Sequence, residues 1–340
     1  MKNRYHLIQI ALLICVVAFV LSAASCVNND NKVSESEGSI ENEVGTYPGR
    51  YGYIDKEGNT IIEPKYYIAY EFSEELALVY IAGKHGFIDH SGDMVIEPRF
   101  RYAGSFSEGL APVNEEDEYF YGYIDKYGDY AILPRFFHAD RFSEGLARVW
   151  MEGSTEALQG FIDNVGNYEI LPDLEGFDTA TGRGEFHDGL ALMVDKRPNA
   201  QGGEDYIFGF MDKTGEVVIE PQFERADRFS EGLAAAEKNG RWGYIDVEGN
   251  TVIDFQYEDA GRLSEGLAPV MIEGKWGYID AGGNVVIEPQ YDYACIFSEG
   301  LAAIEMEEAW GYIDKEGNLV IEPQYEMAGY FSEGLAPVEF

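Results

Sequence analysis

The sequence predicts an all-β repeat fold, on two observations. One phrase recurs eight times, in its fullest form Trp-Gly-Tyr-Ile-Asp, then Gly-Asn, Val-Ile-Glu-Pro and Phe-Ser-Glu-Gly-Leu-Ala. Its glycine falls at Gly52, Gly86, Gly122, Gly160, Gly209, Gly243, Gly277 and Gly311, at spacings of 34, 36, 38, 49, 34, 34 and 34 residues. A fixed period of this size marks units that cannot bury an apolar face alone and must stack on their neighbours. The second observation is that apolar residues come in short, β-branched or alternating runs between Gly, Asn, Asp and Pro, with little helical periodicity.

The chain divides into three parts: residues 1–25, 26–48 and 49–340. In the first, Lys2 and Arg4 precede Ile10–Leu21, an apolar run of twelve residues. That is too short to span a bilayer and suits the core of a signal peptide. Ala23-Ala24-Ser25 then leads to Cys26, which resembles a bacterial lipoprotein signal. The resemblance implies cleavage before Cys26, its lipidation, and a location on the extracytoplasmic face of the cell membrane. Ordinary secretion is the alternative. Two acyl chains, at about 0.8 kcal/mol per buried methylene, make a durable anchor. Residues 26–48 are acidic and almost free of apolar side chains, so they read as a flexible tether.

The last copy shows how each repeat is expected to fold. Trp310 and Tyr312 share one strand face, and Gly311 between them leaves room for close approach of another backbone. Asp314-Lys315-Glu316-Gly317-Asn318 is a turn, Leu319-Val320-Ile321 the returning strand, and Pro323 its end. Gln324 to Tyr330 is long enough for one helical turn. Phe331-Ser332-Glu333-Gly334 then turns into a third strand, Leu335-Ala336-Pro337-Val338. The expectation is eight tandem repeats of about 34 residues, each a three-stranded β-meander, stacked as an open twisted β-solenoid. A closed propeller-like ring is the alternative, because the terminal strands are placed to pair.

These phrases resemble the bacterial WG repeat family over Gly49 to Phe340. The Trp-Gly pair itself stands only at Trp242, Trp276 and Trp310. The resemblance implies a binding or scaffolding module and names no chemistry.

Composition narrows the partners. The formal charge is −38, and loss of Lys2 and Arg4 with the signal would make it more negative still. Nucleic acid is excluded as a partner, since it requires a basic patch, and the membrane is expected to be met through the lipid anchor alone. Beside Cys26, the one cysteine after the signal is Cys295, in a slot held by Gly261 and Gly329 in neighbouring copies, where a small filler fits. His85, His90, His138 and His187 have no metal-ligand spacing, and no nucleophile elbow or phosphate loop is present. No enzyme activity, cofactor or metal site is expected.

Two acidic positions recur: the strand-end acid, Asp55 to Asp314, and the turn acid, Glu74 to Glu333, which is Asp188 in the fourth copy. Capping of turns and binding of cations both account for them, and recurrence in every copy favours capping. The candidate binding residues are Trp150, the one tryptophan outside the Trp-Gly slot, the positive residues Arg183, Lys196 and Arg197 in the long fourth copy, and Trp242, Trp276 and Trp310. Insertions in a repeat scaffold often carry binding. The expected function is a membrane-anchored, non-catalytic scaffold for a protein or an envelope polymer, with a small-ligand or divalent-cation sensor or carrier as the alternative.

Overall fold

The computed structural model describes residues 50–115, 119–150, 159–170, 184–198 and 203–340. Among them the chain is strand and turn with no helix. Residues 225–257 form a representative sheet. A two-residue strand, Arg225–Ala226, is followed by Leu233–Lys238, Arg241–Asp246 and Thr251–Tyr257, each antiparallel to the one before. The first two are joined through Glu231-Gly232, with φ of 54° and 82°, and the next two through Asn239-Gly240, with φ of 55° and 69°. Positive φ at both central residues is the tight hairpin turn whose twist matches that of the strands.

The sheets are therefore four-stranded, where the sequence predicts three strands per copy. They are also out of phase with the sequence: each begins in the tail of one copy and ends in the head of the next. The segment expected to make a helical turn supplies the extra strand. In the last copy Gln324 and Tyr325 finish the outer strand Leu319–Tyr325, and Met327–Ala328 starts the next sheet. Met327 and Ala328 pair antiparallel with Glu339 and Val338, a ladder that only extended chain can make.

Among the described residues six sheets have four strands and one has seven. In the larger one, Met94–Ala103 runs on from the outer strand of one sheet into the inner strand of the next, so eight four-stranded units result. One of them joins the two ends of the array. Its strand order is Thr60–Tyr66, Tyr51–Ile54, Ala336–Glu339, Met327–Ala328. Phe340 N–H also donates to Arg50 O at 3.0 Å, and the Arg50 side chain pairs with Glu326 and Glu339. Of the two arrangements open to the sequence, this is the closed propeller-like ring, and the open solenoid is set aside. The physical reason is edge satisfaction: the head strand of the first copy and the tail strand of the last each need a partner, and pairing them leaves neither exposed.

Contacts between sheets repeat around the ring. The ring of Tyr278 lies 4.9 Å from that of Phe297 in the next sheet, and Tyr312 lies 4.8 Å from Phe331. The tyrosine hydroxyls of Tyr53, Tyr123, Tyr244, Tyr278 and Tyr312 donate to the backbone carbonyls of Tyr70, Asp140, Gly261, Cys295 and Gly329 at 2.7–2.9 Å. Serine Oγ to phenylalanine O bonds link Ser73 to Phe106, Ser107 to Phe142 and Ser298 to Phe331, and Ser332 to Phe72 completes the circle.

The glycine of Trp-Gly is fixed by close approach. A Cβ on Gly277 would lie 2.5 Å from Ile287 O, where the pairing to the returning strand bulges. Gly277→Ala should therefore destabilise the ring by about 3 kcal/mol, as an unrelieved overpacking does, read as a lower midpoint in urea. Removing residues 335–340 takes away the pairing partner of Tyr51–Ile54. The expected result is loss of the single cooperative melt and self-association by size-exclusion chromatography, since the freed edge is a template for another chain.

Candidate axial binding site

The innermost segment of each sheet carries the site. It reads Ala-x-x-Phe, with Phe72, Phe106, Phe142, Phe186, Phe229, Phe297 and Phe331 buried and Leu263 in the sixth copy. The residue just before this apolar anchor changes from copy to copy: Glu71, Ser105, Arg141, Glu185, Arg228, Arg262, Ile296 and Tyr330. The aromatic anchor turns into the packing between sheets, so by strand alternation the residue before it faces the other way. That direction is the ring axis, because residues from distant copies meet there. Glu71 of the first copy feels the charges of Arg141 and Arg262, and its Oε1 accepts from Tyr330 N–H at 3.3 Å. Tyr330 in turn feels Arg262, Glu71, Asp227 and Arg228.

Glu185 is the hub of one side. Arg141 Nε lies 3.3 Å from its Oε1, and Arg228 Nη1 lies 3.0 Å from its Oε2. His187 Nε2 stands 3.3 Å from the same oxygen and 3.0 Å from Arg228 Nη1. Burial pushes the Glu185 carboxyl up, but His187, Arg141 and Arg228 outweigh it and hold the group at about 2. Behind this cluster Arg148 Nε meets Asp140 Oδ2 at 2.7 Å, and His138 Nε2 meets Asp140 Oδ1 at 2.9 Å. Arg148 and Asp140 are both buried, and although burial opposes it, the two cations keep the Asp140 carboxyl far below its ordinary range. Gly184 makes room for Arg148, since a Cβ there would fall 2.6 Å from Arg148 Cδ.

Across the axis the balance differs. Burial raises the Glu71 carboxyl above its ordinary value, and the Tyr330 N–H, Arg141 and Arg262 only partly offset it. Arg228 is lowered by burial and by repulsion from Arg262 and Arg141. Arg262 makes no hydrogen bond or ion pair among the described residues. Among the described residues the axis therefore holds the guanidinium groups of Arg141, Arg228 and Arg262 and the carboxylates of Glu71 and Glu185, with Asp227 near enough to act on Arg228 and Tyr330, on a chain whose formal charge is −38.

The recurring acids have local work. Asp246 Oδ1 accepts from Glu248 N–H and Asn250 N–H at 3.1 and 2.8 Å, and the same turn recurs at Asp55, Asp163, Asp280 and Asp314. The turn acids bridge sheets instead of capping their own turns. Glu74 accepts from Gly109 N–H, Glu108 from Gly145, Glu144 from Gly189, Asp188 from Gly232, and Glu231 from Gly266. Glu265 continues to Gly300, Glu299 to Gly334, and Glu333 returns to Glu75 N–H, closing the circle. Lys56, Lys213 and Lys315 add ion pairs of 3.1, 3.0 and 2.9 Å to Glu299, Glu144 and Glu265. Among the described residues no group of three His, Cys, Asp or Glu is placed to hold a metal ion.

The residues singled out from the sequence lie elsewhere. Trp242, Trp276 and Trp310 are each 5% exposed and sit in the cores of their sheets, so they form no ligand-facing surface. Trp-Gly is a packing phrase: the indole is buried in its sheet's core, and the glycine lets the backbone of the returning strand approach. Trp150 is half-buried, with its ring 5.0 Å from that of His138. Lys196 is exposed, with its ammonium 5.8 Å from the Tyr206 ring centre, and Arg197 is tied to Asp195 at 2.7 Å and Pro221 O at 3.1 Å. Cys26 and Arg183 lie outside the described residues. Of those described, none joins the axial cluster. The signal that finds the cluster is present in the sequence: Glu, Ser, Arg, Glu, Arg, Arg, Ile and Tyr occupy one slot of an otherwise uniform phrase.

A ring of tandem four-stranded sheets with an ionisable axis defines the class of this molecule, a β-repeat protein of propeller-like form. The chain belongs to the WG containing repeat family, whose model matches residues 51–84, 86–119, 121–153, 208–242, 242–276, 276–308 and 310–340. The long fourth copy is left unmatched. No curated protein matches the chain. Among solved structures, virginiamycin B lyase from Staphylococcus aureus is similar at a TM-score of 0.42 and 11% identity, over 79% of this chain and 92% of that one. AztD from Citrobacter koseri is similar at 0.41 and 12%, over 84% and 95%. Hsv2 from Kluyveromyces lactis is similar at 0.41 and 10%, over 72% and 87%. These scores are too low to carry an argument.

The Glu185 carboxylate gives the axis a pH signature. Its folded value lies below the unfolded one, so its stabilisation is present above about pH 4.5 and is lost as pH falls toward 2. Glu185→Gln should cost about 3 kcal/mol at neutral pH, and the difference from wild type should shrink over that acid window, measured by urea unfolding at a series of pH values.

Proposed function

We propose that this chain is a non-catalytic, extracytoplasmic binding protein, anchored through lipidated Cys26, that takes a small ligand at the ring axis. The observation that carries the reading is the placement of sequence variation. The repeat keeps its buried apolar anchor and its turn acids nearly constant, while the position that faces the axis takes five residue types. A purely structural spacer has no use for three mutually repelling arginines there, because charge in a confined site costs stability unless it is matched. Convergent polar groups are what fixes orientation and specificity in a small-ligand site.

This reading favours the sensor or carrier alternative over a scaffold binding along the repeat face. The aromatic residues that a distributed face would need, Trp242, Trp276 and Trp310, are enclosed in the sheets. Lipidation, the acidic tether of residues 26–48 and the extracytoplasmic location belong to the same proposal and rest on the signal-like sequence before Cys26. A protein or envelope-polymer partner is the second reading, favoured by the exposed positive pair Lys196 and Arg197 on the strand Leu190–Pro198.

Thermal denaturation against a panel of metabolites separates the two. A ligand that prefers the folded ring raises the melting temperature saturably. The expected result is a rise that is lost in Arg228→Gln and kept in a Lys196→Ala, Arg197→Ala double variant. The opposite pattern would move the site to the fourth-copy strand, and retention of the shift in both variants would remove the axis from consideration.

A further inference from the structure

The order of charges around the axis narrows the ligand class, and this step rests on the axial reading above. In ring order the slot reads Arg141, Glu185, Arg228, Arg262, Ile296, Tyr330, Glu71 and Ser105. Glu185 lies between Arg141 and Arg228 and pairs with both. One carboxylate thus serves two guanidinium groups. The next position again holds an arginine, and the one after it, Ile296, offers no charge.

Arg228 and Arg262 are neighbours by construction. Their sheets are adjacent, held by Glu231, which accepts from Glu265 N–H at 2.6 Å and Gly266 N–H at 2.9 Å. Both arginines stand at the same register, just before Phe229 and Leu263, which are buried. Arg228 is half-buried; its ion-pair partner Glu185 is on the side away from Arg262, and the adjacent Asp227 also attracts it. Arg262 acts on Glu71 across the axis, and the two form no ion pair. Arg262 makes no hydrogen bond or ion pair among the described residues, so its fork of N–H donors is unspent.

We propose that Arg228 and Arg262 form an oxyanion clasp at the ring axis, which binds a small solute through a carboxylate or phosphoryl group. Two guanidinium forks side by side match the planar carboxylate and the tetrahedral phosphoryl group, each through paired N–H donors. The bound anion relieves the repulsion between the two arginines, and Glu71 on the far side limits the charge the site accepts. The acidic exterior does not exclude such a ligand, because the clasp lies inside the ring and its field is local at physiological ionic strength.

The test is calorimetric titration of the purified full chain, at constant ionic strength, with inorganic phosphate and separately with succinate. Glucose and spermidine serve as the neutral and cationic probes. The proposal expects saturable binding of phosphate, succinate or both. That binding should weaken by at least about tenfold in Arg262→Gln and fall partway in Arg262→Lys, which keeps the charge and loses the fork. The Lys196→Ala, Arg197→Ala variant should bind as wild type does. The two anions report which oxyanion geometry the clasp prefers.

No saturable binding of either anion, or equal binding by Arg262→Gln, overturns the clasp. If glucose or spermidine binds instead and is lost in Arg262→Gln, the anion class fails while the axial site stands. If no probe responds to substitution at Arg228 or Arg262, both fail. A fold control accompanies these arms. Arg262→Gln removes a repelling charge, so its unliganded melting temperature should equal or exceed that of wild type. A fall of more than about 2 °C would show that Arg262 is already neutralised within the fold, and would overturn the proposal.

Discussion

In six copies the aromatic residue after the repeat glycine packs against the aromatic nineteen positions later, across the boundary between two sheets, as Tyr278 does on Phe297 and Tyr312 on Phe331; in the fourth Phe161 meets Phe186, and in the sixth the partner slot holds Leu263. This junction divides every copy of the repeat. The head of a copy is the outer half of one sheet, and its tail is the inner half of the next. No copy can bury its apolar face alone, and none can be removed without leaving half-sheets on either side. The same division explains closure. An array cut at copy boundaries ends in two complementary half-sheets, Tyr51–Ile54 with Thr60–Tyr66 and Met327–Ala328 with Ala336–Glu339, which complete each other. Capping repeats are unnecessary when the ends satisfy one another.

The acidity of the chain follows partly from the same architecture. A strand-end aspartate closes each sharp turn by accepting two backbone N–H groups, and a turn glutamate reaches the backbone of the neighbouring turn. Both roles need an acceptor with no proton to donate, and both recur wherever the turn recurs. The turn glutamates do more than cap, because their partners belong to the next sheet. Eight such links, from Glu74 through Glu333, form a belt around the ring. They also tie up the carboxylates whose alignment would otherwise suggest a ladder for cations.

Uniformity and function separate cleanly here. The buried apolar anchor and the Trp-Gly glycine are constrained by packing and hardly vary. The axial position touches no repeated partner, so packing does not hold its identity. Arg141, Glu185, Arg228, Arg262, Tyr330 and Glu71 occupy it without disturbing the fold. A single site can therefore be assembled from side chains on many copies of one phrase, each copy contributing one residue.

The sequence by itself determined the all-β character, the repeat count, the turn residues and the need for glycine beside the tryptophan. These depend on local rules: period-two alternation, positive φ in tight turns, and close backbone approach. It named the tryptophans as candidate binding residues, whereas the structure buries Trp242, Trp276 and Trp310, because periodicity does not say which side of a strand meets a second sheet. It read Gln324 to Tyr330 as a helical turn because seven residues are too few to declare a period. The tertiary structure alone decided the four-stranded sheets, the closure of Tyr51–Ile54 on Ala336–Glu339, and the meeting of Glu71, Arg141 and Arg262. Those residues lie far apart in the chain and come together only when a ring brings equivalent positions of distant copies to one axis. That convergence depends on closure, a global property that no local pattern carries.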